Sequence, residues 1–189
     1  MRCRDSAMDL VTHFRRMARN NAWSNFRLLG ACVQLTPEEF AAIRTSFFPS
    51  LQETLNHLLT VDWYYLDALE CGGRGRSVFD NDIPFPNAAD LRAAQEATDR
   101  RLILYCDRLT PDRLSEIVEI DRGDSGIDRE IVADVLSHLF VHQIHHRGQA
   151  HAMLSGTAIP PPQLDEYFLA FDAERRAEDL QRLGITEAS

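Results

Sequence analysis

The chain has 189 residues, 44% of them hydrophobic and 26% charged, which is the profile of one globular domain with room for a substantial core. Its net charge of −9 and scattered basic residues argue against nucleic acid as a partner. No apolar run approaches the roughly 20 residues that span a bilayer. The first nine residues carry charge without an apolar leader core, so no membrane partner and a cytoplasmic location are expected. Cys3, Cys32, Cys71 and Cys106 are far apart and form no Cys-x-x-Cys pair. They read as reduced thiols, with neither a disulfide framework nor a thiolate zinc site.

Taken in order, residues from about 8 to 32 read as a first helix. Leu10, Phe14, Met17 and Leu28 make its apolar stripe if Asn21 shares the face. Asn21 and Asn25, four residues apart, are either amides bonded between helices or part of a polar pocket. Thr36 and Pro37, followed by Glu38 and Glu39, form a short capped helical turn. Ser50 and Glu53 form a capping box that opens a second long helix. Leu51, Leu55, Leu58, Tyr65 and Leu69 follow at helical spacing, up to a stop at Cys71-Gly72-Gly73. His57 lies at the edge of that stripe. Asp62 lies in its middle, where a carboxylate is costly unless paired.

From Gly72 to Pro86 the chain turns to Gly, Arg, Asp, Asn and Pro. That connection is longer than an antiparallel helix pair needs, and leaves room for a crossover. Asn87 caps a third helix whose inward stripe is Leu91, Gln95, Thr98, Leu102, Tyr105 and Leu109. Residues 115–127 alternate weakly and fit a small β-hairpin or an extended loop. A fourth helix is expected from about Asp128 to Ser155, apolar on nearly all sides, with Leu136, Phe140 and Ile144 on its second face. After Pro160-Pro161-Pro162, Leu164, Tyr167, Phe168 and Phe171 are placed on a short final helix. Either that tail or a subunit interface would cover the fourth helix.

Five of the seven histidines fall within His138–His151. On a helix, Ile131, Val135, His138, His142, His146, Gln149 and Met153 share one arc, the one expected to face the core, while His151 points to solvent. His142 and His146 are one turn apart, so two imidazoles can converge on one ion. Burying several imidazoles without partners would cost on the order of 1–3 kcal/mol each. Either they bond one another and nearby carboxylates, or some bind a metal in their neutral form. His57 is by itself an ordinary core histidine, but a third imidazole is what the pair lacks. Three histidines with no carboxylate or thiolate leave positions for water or substrate. Zinc and nickel both suit imidazole, and the sequence does not rank them.

The run from Asp134 to Gln149, Asp-Val-Leu-Ser-His-Leu-Phe-Val-His-Gln-Ile-His-His-Arg-Gly-Gln, closely resembles the signature of the DinB family. Asn20-Asn21-Ala22-Trp23-Ser24-Asn25 is similar to that family's first-helix pattern. Thr54 to Asp62 is similar to its second-helix histidine segment. The resemblance implies a single all-α domain over residues 1–189: a four-helix bundle with a long crossover between helices two and three, a short C-terminal helix and the small hairpin. It also implies a homodimer and a divalent metal held by His57, His142 and His146. His138 and His145 would pack or support the ligands, Gly148 would allow close helix approach, and Gln149 could bond inside the core. Asp62 becomes the candidate carboxylate that orients an imidazole, unless it is an ordinary buried aspartate. The expected function is a thiol-dependent S-transferase or a hydrolase acting on a small-molecule substrate, with a low-molecular-weight thiol as partner. The alternative is a metal-binding stress-response protein without turnover, or a former enzyme.

Overall fold

The computed structural model describes residues 9–187. Four long helices carry the fold: α1 (Leu10–Cys32), α3 (Leu51–Glu70), α4 (Ala88–Asp107) and α6 (Val132–Leu154). Between and after them lie α2 (Pro37–Ala41), α5 (Pro111–Leu114), strands β1 (Ile117–Asp121) and β2 (Ile127–Ile131), and α7 (Ala173–Leu183). The caps follow from side-chain chemistry. Asp9, Thr36, Ser50, Asn87 and Thr110 each accept a hydrogen bond from a free N–H in the first turn of the helix they precede. Cys71 ends α3 in the left-handed conformation.

Cross-helix contacts fix the topology. Arg19 meets Asp107 and Asn25 meets Asp99, so α1 and α4 are antiparallel. Gln52 bonds Pro86, Asp62 bonds Gln95 and Glu70 bonds Arg101, so α3 and α4 run parallel. His57 faces His142 while Tyr65 faces His138, so α3 and α6 are antiparallel. The order is up, down, down, up. A parallel neighbour must start back at the first helix's beginning, and residues 72–87, with a 3₁₀ turn at Gly75–Phe79, cover that return. The all-α bundle with its crossover and hairpin is therefore what the structure shows.

The core has two apolar layers with a polar slab between them. One layer gathers Phe14, Leu66, Leu69, Leu102, Leu136 and Phe140. The other gathers Leu28, Leu51, Leu58, Leu91, Met153 and Leu154. Each long helix crosses from one to the other through polar residues: Asn21 and Asn25 on α1, Asp62 on α3, Gln95 and Asp99 on α4, Gln143 and Arg147 on α6, all buried. Asn21 and Asn25 are thus interhelical amides, donating to Asp99 and accepting from Arg147.

Two boundaries differ from expectation. Helix α6 begins at Val132 and not near Asp128, because Ile127–Ile131 pair with Ile117–Asp121 and Val132 N–H continues the pairing to Glu116 O. The hairpin takes the backbone groups that a longer helix would have used. In the tail, Leu164, Tyr167 and Phe168 precede the final helix. They lie on an extended strap held by Asn20 to Glu166 O and by Arg16 to Phe168 O. Phe168 packs on Trp23, and α7 docks on α1 through Arg27–Asp179, so the strap covers α1. Phe171 is 85% exposed. Cys32, Cys71 and Cys106 are free thiols; Cys3 lies outside the described residues. Among the described residues, no helix is long and apolar enough to cross a membrane.

Candidate metal centre

His57 stands two turns into α3, and His142 and His146 stand one turn apart on the antiparallel face of α6. The antiparallel crossing brings all three rings together. One nitrogen of each lies within 4.8 Å of the others. His57 Nε2 and His142 Nε2 are 3.1 Å apart, close to the ~3.4 Å that two nitrogens on one tetrahedral zinc would have, given Zn–N bonds of about 2.0–2.1 Å. Each ring is set in an environment that keeps it neutral. Burial, then the neighbouring His146, lowers His57 to about 4, with Asp82 opposing. Burial, then His146 and His57, lowers His142 to about 3. Burial also lowers His146, against the bond to Gln149. Neutral imidazole is the ligand form, so these rings release no proton on binding a metal near neutral pH.

Gln149 fixes one tautomer. Its Oε1 lies 2.7 Å from His146 Nδ1, and its Nε2 lies 3.2 Å from His145 Nε2. An amide oxygen only accepts, so His146 carries its proton on Nδ1 and keeps Nε2 as a free lone pair. His142 Nδ1 is buried and has no partner among the described residues.

The buried face of α6 is rotated from the expected arc. Val132, Leu136, Leu139, Gln143, His146 and Arg147 are buried, while Ile131, His138, Val141, Ile144 and His145 are exposed. His142 is therefore at the edge of the core, which is what a reachable site requires. His138 packs edge-on to Tyr65 at 5.1 Å. Gln149 is half-buried beside the imidazoles and does not bond inside the core. Gly148 is exposed, and a Cβ there would meet nothing within 4 Å, so it mediates no close helix approach. His151 bonds Pro162 O at 3.0 Å instead of pointing into solvent.

Asp62 does not orient an imidazole. Its Oδ2 accepts from Gln95 at 2.8 Å and Gln143 at 2.5 Å, and among the described residues no histidine bonds it. At mid-helix it points into the slab between α4 and α6, away from the edge that His57 occupies. Phe47 and Phe48, which sequence reasoning passed over, sit above the imidazoles. The Phe48 ring is 4.3 Å from His57 and 5.6 Å from His146, and Phe47 is 6.5 Å from His146. An apolar pair just before the cap of the histidine helix was the available signal. On the other side, His142 forms part of the wall of a cavity of about 200 Å³ between α3, the crossover, the hairpin and α6. Larger clefts, of about 670, 540 and 700 Å³, lie elsewhere and no triad imidazole lines them.

A bundle with one long crossover and three histidines converging from its second and last long helices defines a class of helical proteins with a group that could hold a metal ion. Residues 8–179 match the DinB family, and the chain belongs to it. It is 24% identical over 166 residues to Protein DinB of Bacillus subtilis (strain 168), a match that covers 82% of this chain and 93% of that protein.

Proposed function

We propose that this chain is a divalent-metal-dependent enzyme acting on a small molecule, with His57, His142 and His146 holding zinc or nickel. The reaction class is S-transfer from a low-molecular-weight thiol, or hydrolysis. The observation that carries this reading is that three neutral imidazoles converge without a carboxylate or thiolate to close the set, and that one of them, His142, lines a surface cavity. When bound, the metal lowers the pKa of a coordinated thiol or water and so supplies a nucleophile near neutral pH. The chain's own part is to position and shelter. Gln149 holds the His146 ring in one tautomer, Phe48 keeps water from two of the imidazoles, and the cavity admits the reacting partner.

Metal content by mass spectrometry on untagged protein tests the reading, beside a His142→Ala/His146→Ala variant. About one equivalent in the parent and little in the variant is expected; the metal found is then used in a thiol-transfer and hydrolysis screen. No metal in the parent after incubation with zinc and nickel would overturn the metal centre. Metal without turnover would leave a binding protein. A homodimer belongs to the same proposal. Val141, 65% exposed, and Ile144, 55% exposed, on the outer side of α6 are apolar surface available to it. Sedimentation at increasing concentration checks it, and a persistent monomer would refute it.

A further inference from the structure

The charged side chains that line the cavity beside the triad are basic, in a chain that is acidic overall. The sequence holds 29 acidic and 20 basic residues, yet the side chains facing this cavity include Arg76 and Arg122 and no carboxylate. Arg76 comes from the 3₁₀ turn of the crossover, and Arg122 from the hairpin turn just after β1. The hairpin turn brings them to one mouth. Gly123 has φ +65°, and a Cβ there would lie 2.9 Å from Cδ and Nε of Arg76. The arginine stem therefore lies across bare backbone, next to Arg122. Arg122 is held in place, with Nε on Asp128 at 2.9 Å and Nη1 donating to Tyr65 Oη at 3.3 Å. Arg76 makes no hydrogen bond and no ion pair among the described residues, so its donors are unspent. A guanidinium presents paired N–H groups that match a carboxylate.

The rest of the cavity defines what else the ligand carries. Tyr65 and Phe79 give it aromatic walls, and His142, a member of the triad, lines it. Its volume of about 200 Å³ equals roughly seven waters at about 30 Å³ each. That is room for a small organic acid.

We propose that this cavity binds a small carboxylic acid, its carboxylate held by Arg76 and Arg122 and its body directed along the aromatic wall toward the triad. The substrate of the site is then a small organic acid. That assignment of substrate rests on the metal-centre reading, whereas anion binding does not.

The test titrates full-length protein, zinc-loaded and chelator-stripped, with benzoate, benzamide and inorganic phosphate, following binding by calorimetry and ligand-observed NMR. Zinc stoichiometry is measured on every sample. Benzoate should bind in both forms, and benzamide should not compete with it. Arg122 also holds the hairpin, so the decisive variant is Arg76→Gln, which gives up no observed bond. It should weaken benzoate by about fivefold or more, the loss of a charge-assisted contact, with zinc stoichiometry unchanged; Arg76→Lys should recover part of the affinity. Equal benzoate affinity in Arg76→Gln would overturn the proposal, as would equal binding of benzamide or binding of phosphate alone. Failure of the metal reading looks different: no zinc in any sample, with benzoate binding still dependent on Arg76.

Discussion

Gln149 shows how much a single amide decides at this site. Its oxygen accepts a hydrogen bond from His146 Nδ1–H and its nitrogen reaches His145, so one side chain sets the tautomer of a triad imidazole and ties it to an exposed neighbour. Partners of this kind typically contribute 10- to 100-fold to metal affinity. Gln149→Leu is therefore expected to bind zinc about tenfold more weakly while still reaching one equivalent at saturation. Gln149→Glu, which keeps an acceptor, should stay near the parent. Competition against a chromophoric chelator measures both, and equal affinity in Gln149→Leu would remove Gln149 from the site. The pairing of His142 with His146 was legible in the sequence because i, i+4 spacing on a helix places side chains together wherever the helix packs. Gln149 and Asp62 were not legible in their roles. Which neighbour a polar group bonds depends on how the helix is rotated about its axis, and the rotation of α6 took His138 out of the core and put Gln143 and Arg147 into it.

At the scale of elements, the crossover supplies one wall of the cavity beside the triad, through Arg76 and Phe79. It is pinned at its far end by Asn56, fully buried, whose Oδ1 accepts from Phe85 N–H and whose Nδ2 donates to Phe85 O and Gln52 O, each at 2.9 Å. Asn56→Ala would leave the Phe85 N–H and C=O without partners, at a cost of about 1–3 kcal/mol. A lower urea midpoint at an unchanged slope is the expected result; an unchanged midpoint would mean that water replaces the amide. The crossover's existence could be read from its length and composition, and the caps from Thr36, Ser50 and Asn87, because both are local properties. Where α6 starts was not legible. Residues 128–131 suit a helix by composition, and only the long-range pairing with 117–121 claims them for the hairpin. The same holds for the tail, where Pro160–Pro162 marked a break but not that Phe168 would travel back to Trp23.

For the whole molecule, the polar slab couples all four helices and sets how stability answers to pH. Burial pushes Asp62 up to about 6, and burial, then the nearby Asp62, pushes Asp99 up to about 7, from an ordinary 3.8. Between about pH 4 and 7 the folded chain therefore holds protons on these carboxyls that the unfolded chain has released. Their contribution to stability is greatest below pH 4 and is lost as pH rises through 6 and 7. His57 and His142, lowered to about 4 and 3 from 6.5, act in the opposite sense. Here the unfolded chain holds the extra protons, so stability is lost as pH falls from 6.5 toward 3. His146, also lowered by burial, acts in the same sense as His57 and His142, so in metal-free protein the two carboxyls and the three imidazoles oppose one another from about pH 4 to 6. Asp99→Asn removes one falling contribution, so its stability should rise with pH over that window. His57→Ala/His142→Ala removes the two largest rising contributions, so its slope with pH should be shifted downward relative to the parent. Urea unfolding in the presence of chelator at pH 4.5, 5.5 and 6.5 reads both slopes. Two variants with the same slope as the parent would mean that neither the slab nor the triad changes its protonation on folding. The buried carboxyls would then be ionised, matched by Arg147, which burial lowers only to about 10 and which therefore stays charged.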